Sequence, residues 1–170
     1  MNNQQKKVAM GASSGIVVML GSLFLLSKAM PALPEVADAG ARLAFAAKWI
    51  ALAAAPLLFA IIAVGNGRFG SEAIDPTAGK ESRAMVVNGR VVDNTLQQFA
   101  LFAAATLALA AGSRGDQLGV VAAAAVIFIA VRLAFWVGYR IEPVYRAFGF
   151  ASTFYLNITL FAIAAWRAWA

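Results

Sequence analysis

The sequence has 170 residues, no cysteine and no histidine, and only 13% of it is charged. Without cysteine there is no disulfide framework, no thiolate nucleophile and no thiolate ligand for zinc or iron–sulfur clusters. Without histidine there is no imidazole base, no usual haem or zinc ligand and no Ser-His-Asp triad. An enzyme built from this chain takes its nucleophile or its base from a substrate. The scarcity of charge is as telling, because a soluble domain is about a quarter charged and roughly half apolar, whereas 62% of this chain is apolar. That is the composition of a chain dissolved in lipid. Lys and Arg number 14 against 8 Asp and Glu. These basic residues are scattered between apolar segments, with no basic run and no aromatic-interleaved patch, so no nucleic-acid partner is expected.

What is present in quantity is long apolar sequence. Five stretches stand out: about Val8 to Ala32, Ala41 to Val64, Val86 to Ala111, Leu118 to Tyr139 and Pro143 to Ala170. Each reaches the roughly 20 residues that cross a ~30 Å hydrocarbon core, and backbone groups in lipid must be satisfied within the segment, so all five read as transmembrane helices. Gly11, Gly15 and Gly21 suit close helix packing, and Trp49, Trp166 and Trp169 near helix ends suit interfacial anchoring. The first stretch follows Lys6 and Lys7 in the manner of a signal peptide, but Lys28 and Pro31 make a poor cleavage site, and it reads as a retained helix. With the amino terminus inside, the inner side collects Lys6, Lys7, Arg68, Lys80, Arg83, Arg90, Arg140 and Arg146. The outer side keeps Lys28, Arg42, Arg114 and Arg167. The positive-inside rule therefore places the N-terminus in the cytoplasm. The connection from Gly65 to Met85, with a turn at Gly65-Asn66-Gly67, reads as a cytoplasmic loop.

Charged and amide groups within membrane helices are functional candidates by default. On the third stretch Arg90, Asn94 and Gln97 fall at i, i+4 and i+7, one helical face, with Gln98 flanking it and Asp93 at the opposite edge. On the fourth, Arg132 and Tyr139 share a face beside Phe135 and Trp136, and on the fifth Arg146, Thr153 and Asn157 form a stripe. Singly, Arg90, Gln98, Arg140 and Asn157 are more simply structural, since intramembrane amides bridge helices and terminal arginines snorkel to headgroups. Together, three arginines, Asn94, Gln97 and Tyr139 near one membrane face suit a small polyanionic ligand, because the forked guanidinium matches carboxylates. The carboxylates Glu72, Asp75 and Glu81 read as solvated loop charges, and no metal site is expected.

These residues carry a resemblance. Arg90-Val-Val-Asp-Asn94-Thr-Leu-Gln97 resembles the R-x-x-x-N-x-x-E helix signature of the MAPEG family, the membrane-associated proteins of eicosanoid and glutathione metabolism. Arg132-Leu-Ala-Phe135-Trp-Val-Gly138-Tyr139, with Arg146 seven residues on, resembles the same family's R-x-x-[YF]-x-x-G-Y segment and the arginine that follows it. The resemblance covers about Ala41 to Ala170. It implies an all-α integral membrane protein: a four-helix MAPEG-like domain over residues 41–170, preceded over 1–40 by an extra transmembrane helix and linker. It further implies a bacterial-type member in the inner membrane and a homotrimer with glutathione between subunits, where Arg90, Asn94 and Gln97 of one protomer meet Arg132, Tyr139 and Arg146 of another. In that reading Arg146 is catalytic and holds the glutathione thiol as thiolate. Arg90 and Arg132 bind the tripeptide carboxylates, Asn94 and Tyr139 position it, and Gln97 stands at the signature's last place. A small apolar co-substrate arrives from the membrane lipids.

The sequence departs from the pattern at three points. Gln97 stands where the signature has Glu, Phe135 stands where some members have Tyr, and Asp93 either pairs with Arg90 or Arg132 or opposes an anionic ligand. The expected function is accordingly a glutathione-dependent transferase or peroxidase acting on apolar electrophiles or lipid hydroperoxides. The alternative is a non-catalytic lipid-binding or membrane-assembly protein on the same fold. A channel or transporter is weaker, since only Pro56 breaks a helix midway and no paired broken helices follow.

Overall fold

A computed structural model describes residues 1–169, the last of them without its side chain, so the expected anchor Trp169 and Ala170 lie outside the described side chains. Every regular element among the described residues is a helix. Helix α1 spans Asn3–Ala29, α2 Ala39–Ala53, α3 Ala55–Phe69, α4 Arg83–Gly112, α5 Gly119–Ile141 and α6 Arg146–Trp169, with single 3-10 turns at Glu72–Ile74, Gly115–Leu118 and Pro143–Tyr145. Five segments are long and apolar enough to cross a membrane, α2 and α3 counting as one. The protein is therefore an all-α membrane-spanning bundle with an additional N-terminal helix.

Local chemistry accounts for the helix ends. Asn2 and Gln5 form a reciprocal capping box on α1, and Asp38 and Ser82 accept the Ala41 and Met85 amides at the starts of α2 and α4. The second span breaks at Ala54 because Pro56, in the first turn of α3, has no N–H for the helical ladder. One expectation needs correcting: Gly65-Asn66-Gly67 is not a turn but the last part of α3. There a Cβ on Gly67 would stand 3.3 Å from the Met85 side chain, so the missing side chain lets α3 lie against α4. Arg68 closes α3 and pairs with Glu81 at 2.9 Å across the loop.

Helix α5 is the axis of the bundle. Val120 through Ala125 are all buried, and Phe128 meets Phe102 of α4 with ring centroids 4.6 Å apart. Helix α1 packs on this same chain, against α5 and α6, through Gly15, Met19 and Leu23. A Cβ on Gly15 would come within 2.6 Å of the Phe148 carbonyl, so the two backbones approach as in small-residue membrane crossings. Outward faces carry exposed Val17, Phe24, Leu58, Phe59, Ile62 and Ile158. Such an apolar exterior is in keeping with hydrocarbon as the surrounding solvent.

The helices run up and down. Lys7 of α1 lies 3.7 Å from Glu142 at the α5–α6 turn, whereas the far end of α1 meets the start of α5, where Gly119 faces the Ser27 carbonyl. The cations assigned to the two sides of the membrane accordingly sort to the two ends of the bundle.

Candidate functional site

At the end that holds Lys7, a cavity of about 560 Å³ opens between α4, α5 and α6. From α4 it takes Arg90, Asp93, Asn94 and Gln97; from α5, Phe135 and Tyr139; from α6, Arg146. The helical repeat explains the first set, since positions 90, 93, 94 and 97 project within one sector of α4. All the residues expected to meet across a subunit boundary except Arg132 thus already share a cavity within a single chain. Leu96 and Phe150 complete the wall. Phe150 stacks on Phe154 with centroids 6.1 Å apart and planes 6° from parallel, which makes an exposed apolar approach on α6.

Arg132 lies behind this wall rather than on it. It is 1% exposed, and its Nη2 donates to Asn94 Oδ1 at 3.0 Å and to Thr95 Oγ1 at 2.8 Å. Its guanidinium carbon also sits 4.1 Å from the Phe135 ring centroid. Nε and Nη1 have no acceptor among the described residues. A buried guanidinium with free donors makes the wall electropositive, and Asn94 is the residue that links it to the cavity. On the other flank, the Arg146 guanidinium carbon lies 4.7 Å from the Tyr139 ring centroid, and Tyr139 meets Phe135 edge-on at 5.8 Å. Two aromatic rings therefore separate the two cations and contribute cation–π contacts to both.

Close backbone contact positions Arg146. A Cβ on Gly149 would come within 2.5 Å of the Phe135 amide nitrogen, and one on Gly138 within 2.8 Å of the Tyr145 carbonyl. The α5–α6 crossing thus depends on two glycines, one on each helix. Asp93 forms no ion pair with Arg90 or Arg132 among the described residues; the α4 geometry turns it toward the cavity while Arg132 spends its bonded donor on Asn94 and Thr95. Gln98, on the other edge of the stripe, is turned inward, where Asn157 Nδ2 donates to its Oε1 at 2.9 Å and to its backbone carbonyl at 3.0 Å. Those two amides are a helix bridge, as the simple reading of each proposed. Thr95 and Phe150 escaped the sequence reading; the one signal for Phe150 is its place four residues after Arg146.

The cavity has two guanidinium groups, one phenol, two amides and one carboxylate on its wall, with neither thiol nor imidazole. Donors outnumber acceptors, so the wall fits an anion that brings its own reacting group. The sequence model of the MAPEG family matches residues 46–166, which takes in all six candidate residues and leaves α1 outside. No curated protein and no solved structure matches the chain. On the extent of that match, the chain belongs to the MAPEG family.

Proposed function

We propose that the protein is a glutathione-dependent transferase or peroxidase of the bacterial inner membrane. It acts on apolar electrophiles or lipid hydroperoxides as a homotrimer with its N-terminus in the cytoplasm. The observation that carries this reading is the cavity where Arg90 and Arg146 flank Tyr139, Asn94 and Gln97 beside an apolar approach along Phe150 and Phe154. Arg146 is the catalytic residue: a guanidinium beside a thiol favours the anion and lowers the thiol's pKa. Arg90 takes a carboxylate of the tripeptide as a charge-assisted pair. Arg132 acts through Asn94, which it orients, and its free donors add to the positive field of the wall. The thiolate sulfur then bonds to the electrophilic atom as the leaving group departs with the electron pair, so the protein needs no nucleophile of its own.

The test is the short-wavelength ultraviolet absorbance of added glutathione, which rises when the thiolate forms. Purified protein raises it and Arg146→Ala loses the rise; absence of a rise with the intact protein would sink the proposal. A second reading, a non-catalytic lipid-binding or assembly protein, is favoured by Asp93, a carboxylate on the cavity wall without an ion-pair partner among the described residues. It predicts a co-purifying lipid or stable protein partner and no thiol-dependent turnover.

A further inference from the structure

The end of the bundle opposite the candidate site carries two adjoining cavities, about 770 and 380 Å³, which share Gln117, Ile163 and Arg167. The smaller is walled by Leu20, Leu23 and Phe24 of α1 and Val120 of α5, so its floor is apolar and one whole side is the helix that the family match leaves out. The rim is polar. Arg167 has its Nη1 tied to Ser113 Oγ at 2.7 Å, which fixes the guanidinium at the boundary of both cavities and uses one of its five donors. Lys28 lies 4.1 Å from the Phe24 ring centroid, a second cation beside the apolar wall. One carboxylate, Asp116, lies on the wall of the smaller cavity, where Arg114 pairs with it at 3.3 Å, as it does with the neighbouring Glu35 at 3.2 Å. Trp166, 74% exposed near the end of α6 and lining the larger cavity, marks the headgroup level.

An apolar channel that runs along helices into the hydrocarbon and ends under two cations at headgroup depth has the charge and polarity profile of one kind of molecule. We propose that this groove binds a phospholipid of the adjoining leaflet, with an acyl chain between α1 and α6 and the phosphodiester on Arg167. The additional helix thereby has a role of its own: it supplies the wall that turns the outer face of α5 and α6 into a lipid site. This inference does not rest on the proposed glutathione chemistry, since the two sites lie at opposite ends of the bundle.

Native mass spectrometry of the full chain in detergent, titrated with dioleoyl phosphatidylglycerol, tests it. The expected result is a saturable adduct, one lipid per chain. Arg167→Gln should weaken it roughly tenfold or more, the value of a charge-assisted hydrogen bond. Leu20→Trp, at a position already exposed and so tolerant of size, should fill the channel and remove the adduct, whereas Arg83→Gln at the other end should leave it intact. Dioleoylglycerol, which lacks the phosphate, should bind wild type no better than it binds Arg167→Gln. Equal phosphatidylglycerol binding by wild type, Arg167→Gln and Leu20→Trp, or equal wild-type affinity for the two lipids, would overturn the proposal.

Discussion

Arg42 and Arg114 at one end of this bundle use their donors in the opposite way from the arginines of the candidate site. They differ too from Arg167 at their own end, which among the described residues bonds Ser113 alone and keeps its other donors for the lipid groove. At the end bearing α4's C-terminus, Arg42 spends its donors on backbone: Nε on the Ala110 carbonyl at 3.2 Å, Nη1 on Ala37 at 2.8 Å and Nη2 on Ala111 at 3.1 Å. Two of these, Ala110 and Ala111, are carbonyls that the end of α4 leaves without intrahelical partners, where a cation also complements the helix dipole. Arg114 at the same end is consumed by Glu35 and Asp116. At the other end, Arg90 and Arg146 line a cavity and form no ion pair among the described residues, and the buried Arg132 keeps two donor nitrogens, Nε and Nη1, without acceptors among them. Arginine count therefore does not locate a site in a membrane protein. What locates it is donor capacity left over after the protein's own acceptors are served.

The strongest way to break this comparison is at the crossing that holds the candidate site together. Gly149→Val places a side chain against the Phe135 amide and the Val131 carbonyl, backbone atoms that cannot rotate aside. A loss of roughly 3 kcal/mol, the upper part of the overpacking range, is expected. Thermal unfolding in detergent should show it as a large fall in midpoint, and unchanged stability would mean that α5 and α6 do not cross so closely. Next in size is a matched pair. Arg42→Ala strands three backbone carbonyls and should cost about 2 kcal/mol. Arg90→Ala removes an exposed cavity residue with no internal partner and should stay within about 0.5 kcal/mol. Equal losses from the two would erase the distinction between structural and available arginine.

That distinction also marks how far the sequence could be read. The spans were legible because composition and length alone require them in lipid, and the α4 stripe was legible because helical periodicity brings Arg90, Asn94 and Gln97 to one side. The inward turn of Gln98 onto Asn157 followed the usual behaviour of intramembrane amides. Other features depend on tertiary neighbours and leave no local trace. Arg42 reads as one more outer-side cation, since a bond to a backbone carbonyl has no sequence signature. Arg132 resembles any arginine near a helix end until the fold buries it behind Asn94. The docking of α1 was equally hidden, because Gly11 and Gly15 would suit any helical partner. The extension of α3 through Gly65-Asn66-Gly67 was missed because turn propensity is a local preference, and contact with α4 outweighs it.

The smallest expected effect sharpens the comparison from within the end that holds Arg42. Arg114 is bonded there too, but its side chain is 59% exposed and its acceptors are carboxylates. Exposed ion pairs contribute about 0–1 kcal/mol and weaken as salt screens them. Arg114→Gln should therefore lower the unfolding midpoint slightly in dilute buffer, with the difference from wild type vanishing in concentrated salt. Arg42→Ala should keep its larger deficit at both ionic strengths, because its lost partners are neutral carbonyls bonded from a half-buried guanidinium. A salt-independent loss for Arg114→Gln as large as that for Arg42→Ala would show that the kind of acceptor does not set an arginine's structural weight here, and counting unspent donors would no longer separate Arg42 and Arg114 from the arginines of the cavity.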